Sequence, residues 1–248
     1  AVVTSTLALG VTRMVRRHAL IRRLPAVETL GSTTVICSDK TGTLTKNEMT
    51  VTRLYLGGEV LTVSGEGYAP LGEIRTDEGA TGGKPYPGLT ALLRACVLCN
   101  GAELHLESFA WQVVGDPTEG ALLVVAAKTG LSKADLDRDN PVLGEVPFDS
   151  ERKKMTVVRH AASGPIAYVN GAPDGLLHGC TAWMTRSGQL TALTEESRQR
   201  ILSTNRQFAS HALRVLGVAM RPLDILPDAY TATSLEHDLT FLGLVGMK

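Results

Sequence analysis

Apolar and polar positions along the chain follow two periods. From Thr12 to Leu24 the apolar Val15, Ala19 and Leu20 are interleaved with arginines at helical spacing, and Pro25 is expected to end that helix. Thr33-Thr34-Val35-Ile36 is a β-branched run that predicts a buried strand. Asn47 to Leu56 alternates, Gly57-Gly58 supplies a tight turn, and Glu59 to Val63 alternates again, which predicts a hairpin. Gly65 to Gly88 is punctuated by glycine and proline and predicts an irregular connection. Beyond it, Leu89, Leu92, Leu93, Cys96 and Cys99 share one helical face. Trp111 to Val114 is a short strand, after which Asp116 fits a cap and Pro117 the first turn of a helix running Gly120 to Gly130.

Strands are expected at Val142 to Phe148, Lys154 to Arg159 and Ile166 to Val169. Thr194 can cap a helix that begins Glu195-Glu196 and carries Ile201, Phe208 and Ala212 on its apolar line. Leu213 to Ala219 and Phe241 to Met247 are strand-like, with a loop from Pro222 to Tyr230. This order predicts a small antiparallel sheet with helices laid against it.

Composition bears on three points. The balance of 25 basic and 25 acidic residues gives no electrostatic reason to expect nucleic acid as a partner. Arg13, Arg16, Arg17, Arg22 and Arg23 nevertheless all precede the first acidic residue, Glu28, and follow a mostly apolar Ala1 to Val11. That segment reads either as an amphipathic helix or as the cytoplasmic end of a membrane helix with its positive flank, although no apolar run reaches the roughly 20 residues of a bilayer crossing. Four cysteines do not make a disulfide scaffold in a chain of 248 residues. Cys96-Val97-Leu98-Cys99 has redox or zinc spacing, yet it lacks a second pair and lies inside a helical pattern, so buried helix thiols are expected.

Candidate chemistry centres on Cys37-Ser38-Asp39-Lys40-Thr41-Gly42-Thr43-Leu44-Thr45. A carboxylate where a strand runs into a loop, beside a lysine, hydroxyls and a glycine, suits a phosphoryl acceptor; the plain alternative is a polar surface turn. Other segments carry their own plain readings. Phe148 alone would be a core aromatic, Glu119 a first-turn helix acid, and Arg152, Lys153 and Lys154 a solvated basic run.

The string from Asp39 to Thr45 resembles the phosphorylation signature of the P-type cation-transporting ATPases. Gly115-Asp116-Pro117-Thr118-Glu119-Gly120-Ala121-Leu122, Pro147 to Met155, Gly171-Ala172-Pro173-Asp174 and Leu213 to Ala219 resemble the nucleotide-domain motifs of the type II, calcium-pump-like branch, in family order. The resemblance implies an α/β and α+β architecture: an antiparallel-sheet nucleotide-binding domain with packed helices, inserted in an incomplete doubly wound phosphorylation domain of the haloacid-dehalogenase type. The expected parts are a membrane-helix end and stalk at 1–24, the start of the phosphorylation domain at 25–51, the nucleotide-binding domain at 52–219, and a return segment at 220–248.

By the same resemblance Asp39 is the nucleophile, and Mg2+ bridges phosphate, the Asp39 carboxylate and the Thr41 carbonyl, while Lys40 shapes the loop. ATP is held by Phe148 stacking on adenine, Glu119 on the adenine side, Lys153 lining the pocket and Arg214 approaching the phosphates, with Thr118, Gly171 and Leu216 in support. The family places a lysine before Gly-Ala-Pro where this chain has Asn170, which implies weaker nucleotide binding. The second magnesium-binding segment, the actuator motif and the ion-binding helices have no counterpart here. A cytoplasm-facing region of a multi-pass membrane pump is therefore implied, with nucleotide, a transported cation, membrane lipid and an actuator domain as partners. Calcium is the ion that the branch suggests. A phosphatase of the same superfamily is an alternative, though it commonly has an acid where Thr41 stands, and a stand-alone nucleotide-binding module is another.

Overall fold

The computed structural model describes residues 2–39, 45, 47–76, 79–80 and 86–248. These fall into two compact units, 1–47 and 48–248. The first contains α1 (Val2–Val15) and α2 (Pro25–Gly31). Neither helix buries a residue. α1 stops earlier than its periodicity suggests because His18 adopts a left-handed backbone (φ 61°). The Ala19 N–H then bonds to the Met14 carbonyl and the His18 N–H to the Val15 carbonyl, a closure that uses up the helix's last acceptors. Pro25, expected to end a helix, instead opens α2, where its fixed φ suits the first turn. Thr33 to Ile36 forms no strand: Val35 is 71% and Ile36 79% exposed. β propensity needs a ladder, and no described strand pairs with this run.

In the second unit the elements are β1 (Val51–Leu56), β2 (Glu59–Val63), β3 (Ile74–Thr76), β4 (Gly79–Ala80), α3 (Pro87–Leu98), β5 (Glu103–Glu107) and β6 (Ala110–Val114). α4 (Pro117–Ala127), α5 (Lys133–Asp139), β7 (Val142–Asp149), β8 (Lys154–Arg159), β9 (Ile166–Gly171) and α6 (Pro173–His178) follow. The chain continues through β10 (Cys180–Met184), β11 (Leu190–Ala192), α7 (Glu195–Ser210), β12 (Arg214–Pro222), α8 (Ala232–Leu235) and β13 (Leu239–Met247). The hairpin between β1 and β2 closes as expected, with both glycines in the positive-φ conformation that a two-residue turn demands. Part of the glycine-rich connection differs from expectation, since β3 and β4 extend the sheet beyond β2.

One mixed but mainly antiparallel sheet runs β4-β3-β2-β1-β13-β12-β9-β8-β7. β13 lies at its centre. Along one edge it pairs antiparallel with β12; the other edge is shared, parallel to β10 near Leu239 and antiparallel to β1 from Leu244 onward. All nine of its residues are buried. Residues 220–248, expected to return to a phosphorylation domain, thus supply a strand bonded inside this sheet. Side-chain alternation sends Met155, Val157, Tyr168 and Val218 to one core with α3 and α4, and Val169, Ala219 and Leu244 to another with α6 and α7. The mixed α/β architecture with an antiparallel sheet and packed helices is the one expected.

Candidate functional site

Strand register orders several of the expected residues of the second unit. Across β8, β9 and β12 one row reads Met155, Asn170 and Val218, with Phe148 of β7 facing Met155 across a bulge, and the next row reads Asp149, Lys154, Gly171 and Gly217. Leu216 shares the face of Val218 and packs partly buried against the same core, and Arg214, at the start of β12, is exposed. Registration slips between Val146 and Asp149, so that Pro147 and Phe148 together oppose Met155. A bulge of this kind re-aims a side chain, and Phe148 is 62% exposed rather than core.

The turn after Phe148 is built by Asp149. Its Oδ1 accepts the Glu151 N–H at 3.0 Å and the Arg152 N–H at 2.8 Å, and its carbonyl accepts the Lys153 N–H at 2.6 Å. Those donors, the Arg152 N–H foremost, hold the Asp149 carboxyl below its usual range. Lys153 is exposed and left-handed (φ 52°), a conformation costing a non-glycine residue about 1 kcal/mol. Its carbonyl is pinned by the Ala172 N–H at 2.9 Å. Gly171 makes that approach possible, because a Cβ there would stand 2.5 Å from the Lys153 carbonyl oxygen.

Against β9 lies the end of α3, which is joined to the start of α4. Asn170 is buried and donates Nδ2 to the Cys99 carbonyl at 2.8 Å, while its Oδ1 is buried without a partner. Asn100 donates to the Glu119 carbonyl at 2.8 Å and accepts the Ala102 N–H at 2.9 Å. Glu119 accepts the Gly101 N–H at 3.1 Å, and burial raises its pKa, with Asp116 adding to the rise. Thr118 is buried behind it, its N–H bonded to Asp116 Oδ1 at 2.7 Å, so Asp116 caps α4 as the sequence predicts.

Cys96 and Cys99 are both fully buried, and burial pushes the Cys99 thiol up to about 12 and raises the Cys96 thiol as well. They are protonated packing groups. Among the described residues, no cluster of three or more His, Cys, Asp or Glu is arranged to hold a metal ion. A cavity of about 380 Å³ lined by Pro87, Thr90, Ala91, Arg94, Tyr168 and Met220 contains none of the expected nucleotide residues. In the first unit Asp39 is exposed; Lys40 and Thr41 lie outside the described residues. Sequence reasoning missed Asn100, whose place just past α3 was its one signal, and the Asp149 turn, which an Asp followed by the polar Ser150-Glu151 could have suggested.

Residues 88–248 match the family model of the P-type ATPase cytoplasmic domain N. Over its whole length the chain is 44% identical to a cation-transporting ATPase, pma1, of Synechocystis sp., covering 27% of that protein. It is 39% identical to a calcium-transporting ATPase of Bacillus subtilis, again over the whole chain and 28% of the relative. A Bos taurus calcium-transporting ATPase type 2C member 1 is 41% identical over 99% of the chain and 24% of the relative. The chain thus spans about a quarter of the length of these curated relatives.

The raised Glu119 carboxyl has a direct consequence for stability. An acid whose folded pKa exceeds its unfolded one binds more protons when folded, so stability is fullest below the unfolded value and declines as pH rises through the folded one. Glu119→Gln, which can still accept the Gly101 N–H, should therefore gain stability relative to the parent at about pH 7.5 and lose that advantage at about pH 4. Urea midpoints of both proteins at the two pH values measure this; a difference that ignores pH would contradict it.

Proposed function

The chain belongs to the P-type cation-transporting ATPases, and from that membership we propose that its second unit binds ATP for transfer of the γ-phosphate to Asp39. The observation that carries this reading is the row across the sheet. An exposed aromatic, Phe148, lies in the bulge opposite Met155, which pairs with a buried amide, Asn170, whose oxygen lacks a partner, and a carboxylate and exposed cations lie on adjoining elements. That set fits a purine nucleotide: a ring to stack on, polar groups for the base edge, and positive charge for phosphates.

In this reading Phe148 stacks on adenine, and Glu119 and Thr118 approach its edge. Asn170 lies in the floor with Gly171 and Leu216 in support, while Lys153 lines the pocket and Arg214 approaches the phosphates. Asp39 attacks the γ-phosphorus in line: a carboxylate oxygen forms the new P–O bond, the bond to the β-phosphate oxygen breaks, and ADP leaves with that electron pair. Mg2+, held by the Asp39 carboxylate and the Thr41 carbonyl, would supply neutralisation of charge developing on the phosphoryl oxygens. Lys40 shapes the loop.

Transport is assigned to the parent protein, with a cation, calcium by the names of the relatives, as the substrate moved across a membrane. Residues 1–24 are read as the cytoplasmic end of a membrane helix and its stalk. α1 is short, no described helix is long and apolar enough to cross a bilayer, and Arg13, Arg16 and Arg17 would face lipid headgroups. Residues 25–51 open the phosphorylation domain, 52–219 bind nucleotide, and 220–248 are the return segment, whose β13 also serves the nucleotide-domain sheet. An actuator domain of the parent would supply the water that hydrolyses the aspartyl phosphate.

Three outcomes follow. Phe148→Ala should weaken ATP binding by about fivefold to a hundredfold in titration calorimetry, the value of base stacking on an aromatic; unchanged affinity would sink the adenine assignment. Asn170→Lys should tighten ATP binding, since the substitution restores a cation at the floor; equal or weaker binding would show that the Cys99 tether matters more than charge. In the full-length protein, Asp39→Asn should abolish formation of an acid-stable, hydroxylamine-sensitive phosphoprotein from ATP, and persistence of that species would reassign the nucleophile.

A further inference from the structure

Glu236 is an ionisable side chain only 3% exposed, immediately after α8 in the connection between β12 and β13. Its Oε1 accepts from Arg152 Nη1 and from Thr156 Oγ1, the latter at 2.9 Å, and its Oε2 lies 3.2 Å from Lys154 Nζ. Arg152 in turn donates Nη2 to the Pro147 carbonyl at 2.8 Å. One buried carboxylate thereby holds both flanks of the turn that presents Phe148 and Lys153. Lys154 and Thr156 alternate with Met155 along β8, so the groups Glu236 binds lie on the face opposite the Met155–Asn170 row.

A carboxylate in such surroundings is costly unless paired and hydrogen-bonded. Here its partners come from a single stretch, Arg152 to Thr156, and the cost of burial is offset only while that stretch keeps its place. We propose that Glu236 is a positioning residue for nucleotide binding: acting through Arg152 and Lys154, it fixes the Pro147–Lys153 turn so that Phe148 and Lys153 meet the ligand. The inference rests on the nucleotide reading of this turn. It places a determinant of affinity about 80 residues along the chain from the turn, on the far side of the sheet.

The test compares the parent, Glu236→Gln, Phe148→Ala and the double variant by ATP titration, with amide hydrogen exchange followed in the turn and in β13. Glu236→Gln should raise the ATP dissociation constant about tenfold and speed exchange at 150–153 while β13 stays protected. In the double variant the loss should be smaller than the product of the two single losses, because both act through Phe148. Parent-like affinity in a Glu236→Gln protein with protected β13, or fully multiplicative losses, would overturn the proposal. Parent-like affinity in Phe148→Ala would overturn the nucleotide reading itself and the inference with it, a separate result from the first. Should Glu236→Gln not fold, Arg152→Lys carries the same comparison. It keeps the charge at a 24% exposed site but cannot span Glu236 and the Pro147 carbonyl together, and should weaken ATP binding in the same direction.

Discussion

The constraint on which the second unit depends is the pairing of β13 along both of its edges. A strand buried on both faces and bonded on both sides cannot slip by one residue without turning its whole apolar set around. β13 therefore fixes the register of β12, which in turn fixes β9 and then β8 and β7. Because β1 and β10 share its other edge, segments from near the start and from the last third of this unit are locked to one ruler. The row from Met155 to Val218 is a reading taken off that ruler.

Helix ends supply the second coordinate. The last turn of α3 leaves carbonyls without intrahelical partners, and Asn170 takes one of them, that of Cys99. At the first turn of α4, Asp116 takes two N–H groups, leaving the Glu119 side chain to turn back to Gly101. Polar groups left over at these helix ends thus join two helices to the sheet at one point. Burial then raises the Glu119 carboxyl and leaves the Asn170 oxygen orphaned, so the junction that joins the helices to the sheet also carries unmet polarity.

Much of this was legible in the sequence because local chemistry and tertiary structure agree. The Gly57-Gly58 turn, the Asp116 and Thr194 caps and the strands β7 to β9 are set by a few adjacent residues. Failures arose where a distant partner decides. Thr33 to Ile36 has the composition of a strand but no described ladder to join, and β3 forms within a glycine-rich stretch because β2 offers an edge. The candidate site residues were named from motifs, whereas Glu236 carries no local sign of its pairing: a glutamate before His237 and Asp238 looks like an exposed turn until Arg152 and Lys154 are seen against it. Asn170 is the intermediate case, since the substitution was visible but its bond to Cys99 depends on contact between β9 and α3.

The left-handed backbone at Lys153 sets local comfort against charge. Glycine or asparagine would adopt this φ at lower cost, so the lysine is held there by its surroundings, through the Asp149 and Ala172 bonds. A search for thermostable variants would consequently favour a residue that relaxes the turn and removes the cation. On the nucleotide reading proposed for Lys153, this position is one where directed evolution would see gains in melting temperature and retention of function pull apart, making it a sensitive place to detect a trade-off between the two.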